Sequence, residues 1–200
     1  MRIAIFSDVH ANLPALEAVL ANIEATAVDA RYALGDLVGY APWPNEVLER
    51  LRAEGIPIVM GNYDDGTGFG RDECGCAYVK PTDKAEGDAG FAWTKAHTND
   101  ANTAWLRTLH PQIRFVADGK RYLLVHGSPR RINDTRTPQA SGSSAHACAL
   151  ASPRSGRVIA RAGIPISSSA GFAIAASMCG FKAAAMNFTT GTTTALPNCL

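Results

Sequence analysis

The chain has almost no net charge. Its 200 residues carry 19 lysines and arginines against 18 acidic residues, which leaves +1 at neutral pH. That balance gives no electrostatic case for a nucleic acid or an anionic membrane surface as partner. Nowhere does the sequence reach the ~18 uninterrupted apolar residues that a membrane-spanning helix requires. The five cysteines are odd in number and scattered, so they do not describe a disulfide framework. No basic and apolar leader precedes the first strand signal, and the expected compartment is therefore the cytoplasm. "DDGTGFG", residues 64–70, is rich in glycine but lacks the lysine and the strand–loop–helix setting of a phosphate-binding loop.

What the chain does contain, up to Ile132, is an alternation of strand and helix signals. Ile3, Ala4, Ile5 and Phe6 read as a strand buried on both faces. Asn12 is placed to cap a helix, with Pro14 in its first turn and Leu13, Leu16, Val19, Leu20 and Ile23 at helical spacing. "ARYALGD" is a second strand, and Asn45 stands where it could cap a second helix. "IPIVMGN" is a third strand. A βαβαβ order implies a parallel sheet with helices on its faces. Residues 64–84 read as a long loop, followed by helices near 85–96 and 100–109. "QIRFVADGKRYLLVHGS" reads as a hairpin turning at Asp118-Gly119.

The pattern breaks after residue 132. Seventeen of the 18 acidic residues precede Asn133, and Ala, Ser, Thr and Gly make up 37 of the last 68 residues. We therefore divide the chain into a domain over 1–132 and an Ala/Ser/Thr-rich tail over 133–200. The tail is expected to be disordered or the product of a shifted reading frame. With suitable synonymous codons, a one-base shift turns "SAHACAL" into a segment containing His-Thr-His.

The chemistry concentrates where strands stop. Asp8 and His10 follow the first strand, Asp36 the second and Asn62 the third. His126 follows the strand "RYLLV". In open α/β sheets the ligand site lies beyond the carboxyl ends of the strands. Oxygen and imidazole donors without thiolate suit Mn²⁺, Fe or Zn²⁺. Each residue also has an ordinary reading. Asp8 and His10 could be strand-end polar residues, Asp36 and Asn62 turn formers, and His126 a core histidine. Their ordered recurrence favours ligands. Gly35 and Gly61 directly precede two of these residues, and Gly127 directly follows another, which suggests turns with positive φ or close backbone approach. Cys74 and Cys76 read as structural or loop cysteines, and His97 and His110 as surface residues.

The sequence D-x-H, G-D-x-x-G, G-N-x-D and V-H-G, in that order, resembles the calcineurin-like metallophosphoesterase superfamily. "SDVHANLPALEAVL", "GDLVGYAPWPNEV" and "GNYDD" look most like its small bacterial branch. The resemblance implies a β-sandwich flanked by helices, incomplete here because the tail does not match. It also implies a phosphoesterase acting on phosphodiesters or phosphomonoesters, a small molecule or nucleotide among them. Two divalent ions would form the site, with Asp8 and His10 on the first, Asp36 bridging, and Asn62 and His126 on the second. The resemblance makes Asp36, Asn62 and His126 the catalytic set.

Two departures stand out. Tyr63 occupies the place of the family's leaving-group histidine, so it is at most a leaving-group contact. The family's final G-H-x-H motif is absent, and His146 in "SSAHACAL" is the only histidine left as an extra ligand. These departures motivate the alternative of a non-catalytic scaffold on the same fold, as in the retromer scaffold subunit.

Overall fold

Both faces of the first strand are covered, and this organises the molecule. A computed structural model describes residues 1–76, 78 and 80–132, together with the backbone of four strands beyond them. Strand β1 (Arg2–Ser7) pairs in parallel with β2 (Ala30–Ala33), with Ile3 opposite Ala30 and Phe6 opposite Ala33. On one face Ala4 and Phe6 join a core with the helices that follow. On the other, Ile3 and Ile5 pack with Leu34, Val59, Tyr122 and Leu124. This two-sided burial is what a continuous apolar strand predicts.

Helix α1 (Leu13–Ala25) begins where Asn12 accepts a hydrogen bond from the Ala15 N–H at 3.1 Å, and it buries Leu16, Val19, Leu20 and Ile23. Helix α2 (Pro44–Ala53) buries Val47, Leu48 and Leu51. Asn45 does not cap it. Proline is preorganised for the first helical position, so the helix starts at Pro44 and Asn45 lies within its first turn. Its side chain instead ties to the distant segment 97–99, donating to the His97 carbonyl at 2.8 Å and accepting from the Asn99 N–H at 2.9 Å.

Two further expectations are corrected. The third strand reduces to two isolated parallel bridges, Ala33 with Ile58 and Val59 with His110. The segment changes partner after two residues: the Val59 N–H bonds the Ala33 carbonyl, and the Met60 N–H bonds that of His110. The long loop begins later than expected, because helix α3 (Asn62–Gly68) occupies its start. Gly66 and Gly68 make α3 a poor helix by propensity but let it pack closely, since a Cβ at Gly66 would lie 2.7 Å from the Phe91 ring. Cys74 and Cys76, read as structural or loop cysteines, lie in the loop after α3 and are joined by a disulfide.

Helices α4 (Pro81–His97) and α5 (Asp100–Leu106) follow, and His97 and His110 are exposed as expected. Strands β3 (Gln112–Ala117) and β4 (Lys120–Val125) form the expected hairpin around Asp118-Gly119. Its rings stack on the first sheet, with Phe115 between Tyr32 and Tyr122 at 4.9 Å from each.

Beyond residue 132, β5 (Arg157–Arg161) pairs in parallel with β4, while β7 (Phe181–Asn187) pairs antiparallel with β1. Strands β6 (Ala175–Met178) and β8 (Thr193–Thr194) both pair with β7. One sheet thus runs β2-β1-β7-β6 with β8 also on β7, and the other runs β3-β4-β5. Two sheets facing each other, with helices on the outer face of the first, make a helix-flanked sandwich. The rest of the 133–200 tail, including His146, lies outside the described residues.

Candidate metal centre

The four chain segments whose ends carry Asp8, His10, Asp36, Asn62 and His126 converge. His10 Nε2 lies 4.0 Å from Asp8 Oδ1 and 3.7 Å from Asp36 Oδ2. His126 Nε2 lies 3.5 Å from the same Asp36 Oδ2 and 3.1 Å from Asn62 Oδ1. Donor atoms of Asp8, His10 and Asp36 all fall within 4.8 Å of one another. All five ligands expected within the described region therefore meet, with Asp36 Oδ2 within 4 Å of both imidazoles.

The backbone is bent to achieve this. Asp8, His10 and Asp36 have φ of 59°, 48° and 53°, the left-handed region that side chains other than glycine rarely adopt. Such strain persists only where neighbours over-determine it. Here the N–H groups of Asp8, His10 and Ala11 bond the carbonyls of Gly35, Asp36 and Leu37 at 2.9, 2.9 and 2.7 Å. The Asp8 loop and the Asp36 loop thus hold each other.

Gly35 and Gly61 permit the closest approach. Gly35 has a φ of +87°, and a Cβ there would lie 2.3 Å from Gly61 N. A Cβ on Gly61 would lie 2.1 Å from Asp36 N.

Each side chain is aimed by a second contact. His10 Nδ1 donates to the Val38 carbonyl at 3.0 Å and His126 Nδ1 to that of Leu34 at 2.6 Å. Both rings therefore turn Nε2 toward the cluster, as ligating histidines commonly do. Asn62 Nδ2 donates to the Cys74 carbonyl at 2.9 Å, which leaves Oδ1 facing His126. Asp36 Oδ1 accepts from the Tyr63 N–H at 2.9 Å, so Oδ2 stays with the imidazoles. Ser7 donates to Asp8 Oδ2.

Asp64 is a positioning residue that holds the loops around the site together. It is fully buried, and its carboxylate accepts from the N–H groups of Gly61, Asp36 and Leu37 at 2.8, 2.9 and 2.8 Å. The available signal was its spacing in G-N-x-D, two residues after Asn62.

The electrostatics calls for positive charge. Burial, and next the charge of Asp36, raise Asp8 above the usual carboxylate range. The same two causes push Asp64 up to about 6. Burial also acts to raise Asp36, but His126 and His10 outweigh it and hold Asp36 low. Burial disfavours a charged His126, yet Asp36 overrides that and raises the imidazole to about 10. Without a cation, the His126 imidazolium supplies the positive charge among these buried carboxylates.

Tyr63 contributes its ring rather than a donor atom, meeting His10 edge-on with centroids 5.3 Å apart. It is only 2% exposed, and its hydroxyl pairs with that of Tyr78 at 3.1 Å. Burial and then the neighbouring Tyr40 and Tyr78 hydroxyls push its phenol well above the ordinary range.

The sequence profile of the calcineurin-like phosphoesterase superfamily domain matches residues 1–151. The chain belongs to that superfamily. A curated relative, an uncharacterized protein of Methanocaldococcus jannaschii, is 34% identical over 128 residues, 64% of this chain. The chain spans half of that relative's length. A metallophosphoesterase from Sphaerobacter thermophilus is 36% identical, with 66% of this chain and 48% of that chain covered and a TM-score of 0.48. A hypothetical protein from Pyrococcus horikoshii OT3 has a TM-score of 0.67 at 18% identity, covering 96% of this chain and 86% of that one. That likeness shows the fold.

Superfamily membership implies divalent metal ions, and the donor set fits them. Two carboxylates, Asp36 buried and Asp8 half-buried, two imidazoles presenting Nε2 and an amide presenting oxygen are hard-to-borderline donors. Among the described residues no helix is long and apolar enough to cross a membrane.

Proposed function

We propose that this chain carries a dinuclear metal site that hydrolyses phosphate mono- or diesters. The observation that carries the reading is the position of Asp36 Oδ2, 3.7 Å from one ligand imidazole and 3.5 Å from the other. A carboxylate shared in this way suits a bridge that offsets repulsion between two cations. Asp8 and His10 would hold the first ion, and Asn62 and His126 the second. When bound, the ions supply Lewis-acid polarisation of a phosphoryl oxygen and a nucleophile at neutral pH.

The remaining work falls to the chain itself. Asp64 and Gly61 fix the Asp36 loop against α3. The Cys74 carbonyl keeps the Asn62 oxygen inward. His126 must give up its extra proton before its Nε2 can act as a ligand. Tyr63 is a poor proton donor to a leaving oxygen, since its phenol is buried and its hydroxyl is shared with Tyr78. The reading therefore favours esters with good leaving groups. Mn²⁺, Fe and Zn²⁺ all suit the donors, and a cytoplasmic location remains part of the proposal.

The test is hydrolysis of an activated aryl phosphodiester with added Mn²⁺, comparing wild type with Asp36→Asn. Loss of turnover in the variant is expected, and equal turnover would sink the metal mechanism. The absence of G-H-x-H from the sequence favours a second reading, a non-catalytic scaffold on the same fold. A scaffold would bind metal weakly or not at all.

A further inference from the structure

One element beside the metal centre has no part in binding cations. Tyr40 is the most exposed aromatic ring in its surroundings, 59% accessible, yet it is tightly held. Its ring meets His10 edge-on with centroids 4.6 Å apart and leans on Tyr63 at 5.0 Å. Its hydroxyl is 3.0 Å from that of Tyr78. The backbone beneath is built for this position. Gly39 and Tyr40 are consecutive left-handed residues with φ of +99° and 62°. A Cβ on Gly39 would come within 2.5 Å of the Tyr63 ring, so the chain is pressed flat against that ring before Tyr40 rises from it. The Ala41 N–H then ties the turn to the His10 carbonyl at 3.2 Å.

An exposed apolar ring in a strained conformation, fixed on three sides and touching a candidate ligand, is not explained by core packing. Strain of this kind concentrates where a ligand is clamped. A ring immobilised before binding loses little further freedom when something stacks on it.

We propose that Tyr40 is a substrate-binding platform on which a planar aromatic group of the phosphate ester stacks, making the preferred substrates nucleoside or aryl phosphates. This rests on the phosphoesterase reading of the adjacent site. The phosphoryl group would go to the metal side of His10 and the aromatic group to the Tyr40 side. Tyr78 is the positioning residue that holds the platform through its hydroxyl.

Binding of matched ligands to the Mn²⁺-loaded protein tests the idea by titration calorimetry, without relying on turnover. AMP and ribose 5-phosphate share a phosphate and a sugar and differ in the base. Stacking on one aromatic side chain corresponds to about tenfold in affinity, so AMP should bind about tenfold tighter than ribose 5-phosphate. In Tyr40→Ala the AMP advantage should fall to within about twofold, whereas Tyr40→Phe, which keeps the ring, should preserve most of it. Phenyl phosphate in place of AMP separates the two sources of a planar ring. A Tyr40-dependent advantage for either supports the platform, and the larger one names the preferred class.

Equal binding of AMP, phenyl phosphate and ribose 5-phosphate by wild type would overturn the proposal. So would an advantage that survives in Tyr40→Ala, or no detectable binding of any of them. Metal-dependent hydrolysis without base preference would leave the phosphoesterase reading standing and remove the platform. A Tyr40-dependent base preference without hydrolysis would do the reverse.

Discussion

Gly61→Ala places a methyl group where the structure has no room for one. Its Cβ would stand 2.1 Å from Asp36 N and 2.3 Å from Asp36 Oδ1, far inside contact distance, and the first of these atoms is backbone. Relief requires the Asp36 loop and the start of α3 to separate. That separation stretches the bond from the Gly61 N–H to Asp64 at 2.8 Å and the bond from the Tyr63 N–H to Asp36 at 2.9 Å. Overpacking costs about 1–3 kcal/mol. Hydrogen bonds to charged groups contribute about 1.5–3 kcal/mol each. With the equivalent of one of the two stretched bonds lost, we expect a total loss of about 3–6 kcal/mol, a large part of a domain's usual stability of ~5–15 kcal/mol. Chemical denaturation of the metal-free protein measures it.

Gly90→Ala provides the control. Gly90 lies inside α4 with nothing within 4 Å of an added Cβ. Alanine there should stabilise by about 0.5–1 kcal/mol. A Gly61→Ala variant within about 1 kcal/mol of wild type would refute the close-packing argument, since even the low end of overpacking would then be missing.

Asp64→Ala should lower stability by ~3 kcal/mol, because three buried N–H groups lose their acceptor at once; a thermal melt checks this, and Mn²⁺ affinity should fall with it as the Asp36 loop loosens. His126 predicts a pH dependence in the metal-free protein. Its folded value of about 10 lies above the ordinary 6.5, so the protonated ring stabilises the fold fully below pH about 6.5, and that contribution is lost as pH rises through about 10. Melting temperature should fall across that window in wild type, while His126→Asn should show a much flatter profile.

Much of this architecture is legible in the sequence because single residues carry strong local signals. The apolar run at 3–6 could only be a strand covered on both sides, and Asn12 followed by Pro14 marks the start of α1. Asp118-Gly119 fixes the hairpin turn. Asp8, His10, Asp36, Asn62 and His126 were recognisable as a group because each stands just beyond a buried segment. Other features depend on contacts that sequence does not display. Helix α3 contains two glycines in seven residues and forms where Asp64 ties its start to the Asp36 loop and Gly66 fits against Phe91. The third strand dissolved into bridges because its two neighbours are reached in turn rather than together. Asn45 lost its capping role to the geometry of Pro44. The hold of the Cys74 carbonyl on Asn62 arises only once the loop folds back over α3.

The central claim is that one carboxylate, Asp36, is shared by two cations. Metal stoichiometry of wild type and Asp36→Asn, measured by elemental analysis after Mn²⁺ loading and removal of free ions, tests it most directly. The account predicts two ions per chain in wild type and a loss of both tightly held ions in the variant, since each set of ligands includes Asp36. No retained metal in wild type, or the same metal content in both proteins, would contradict it.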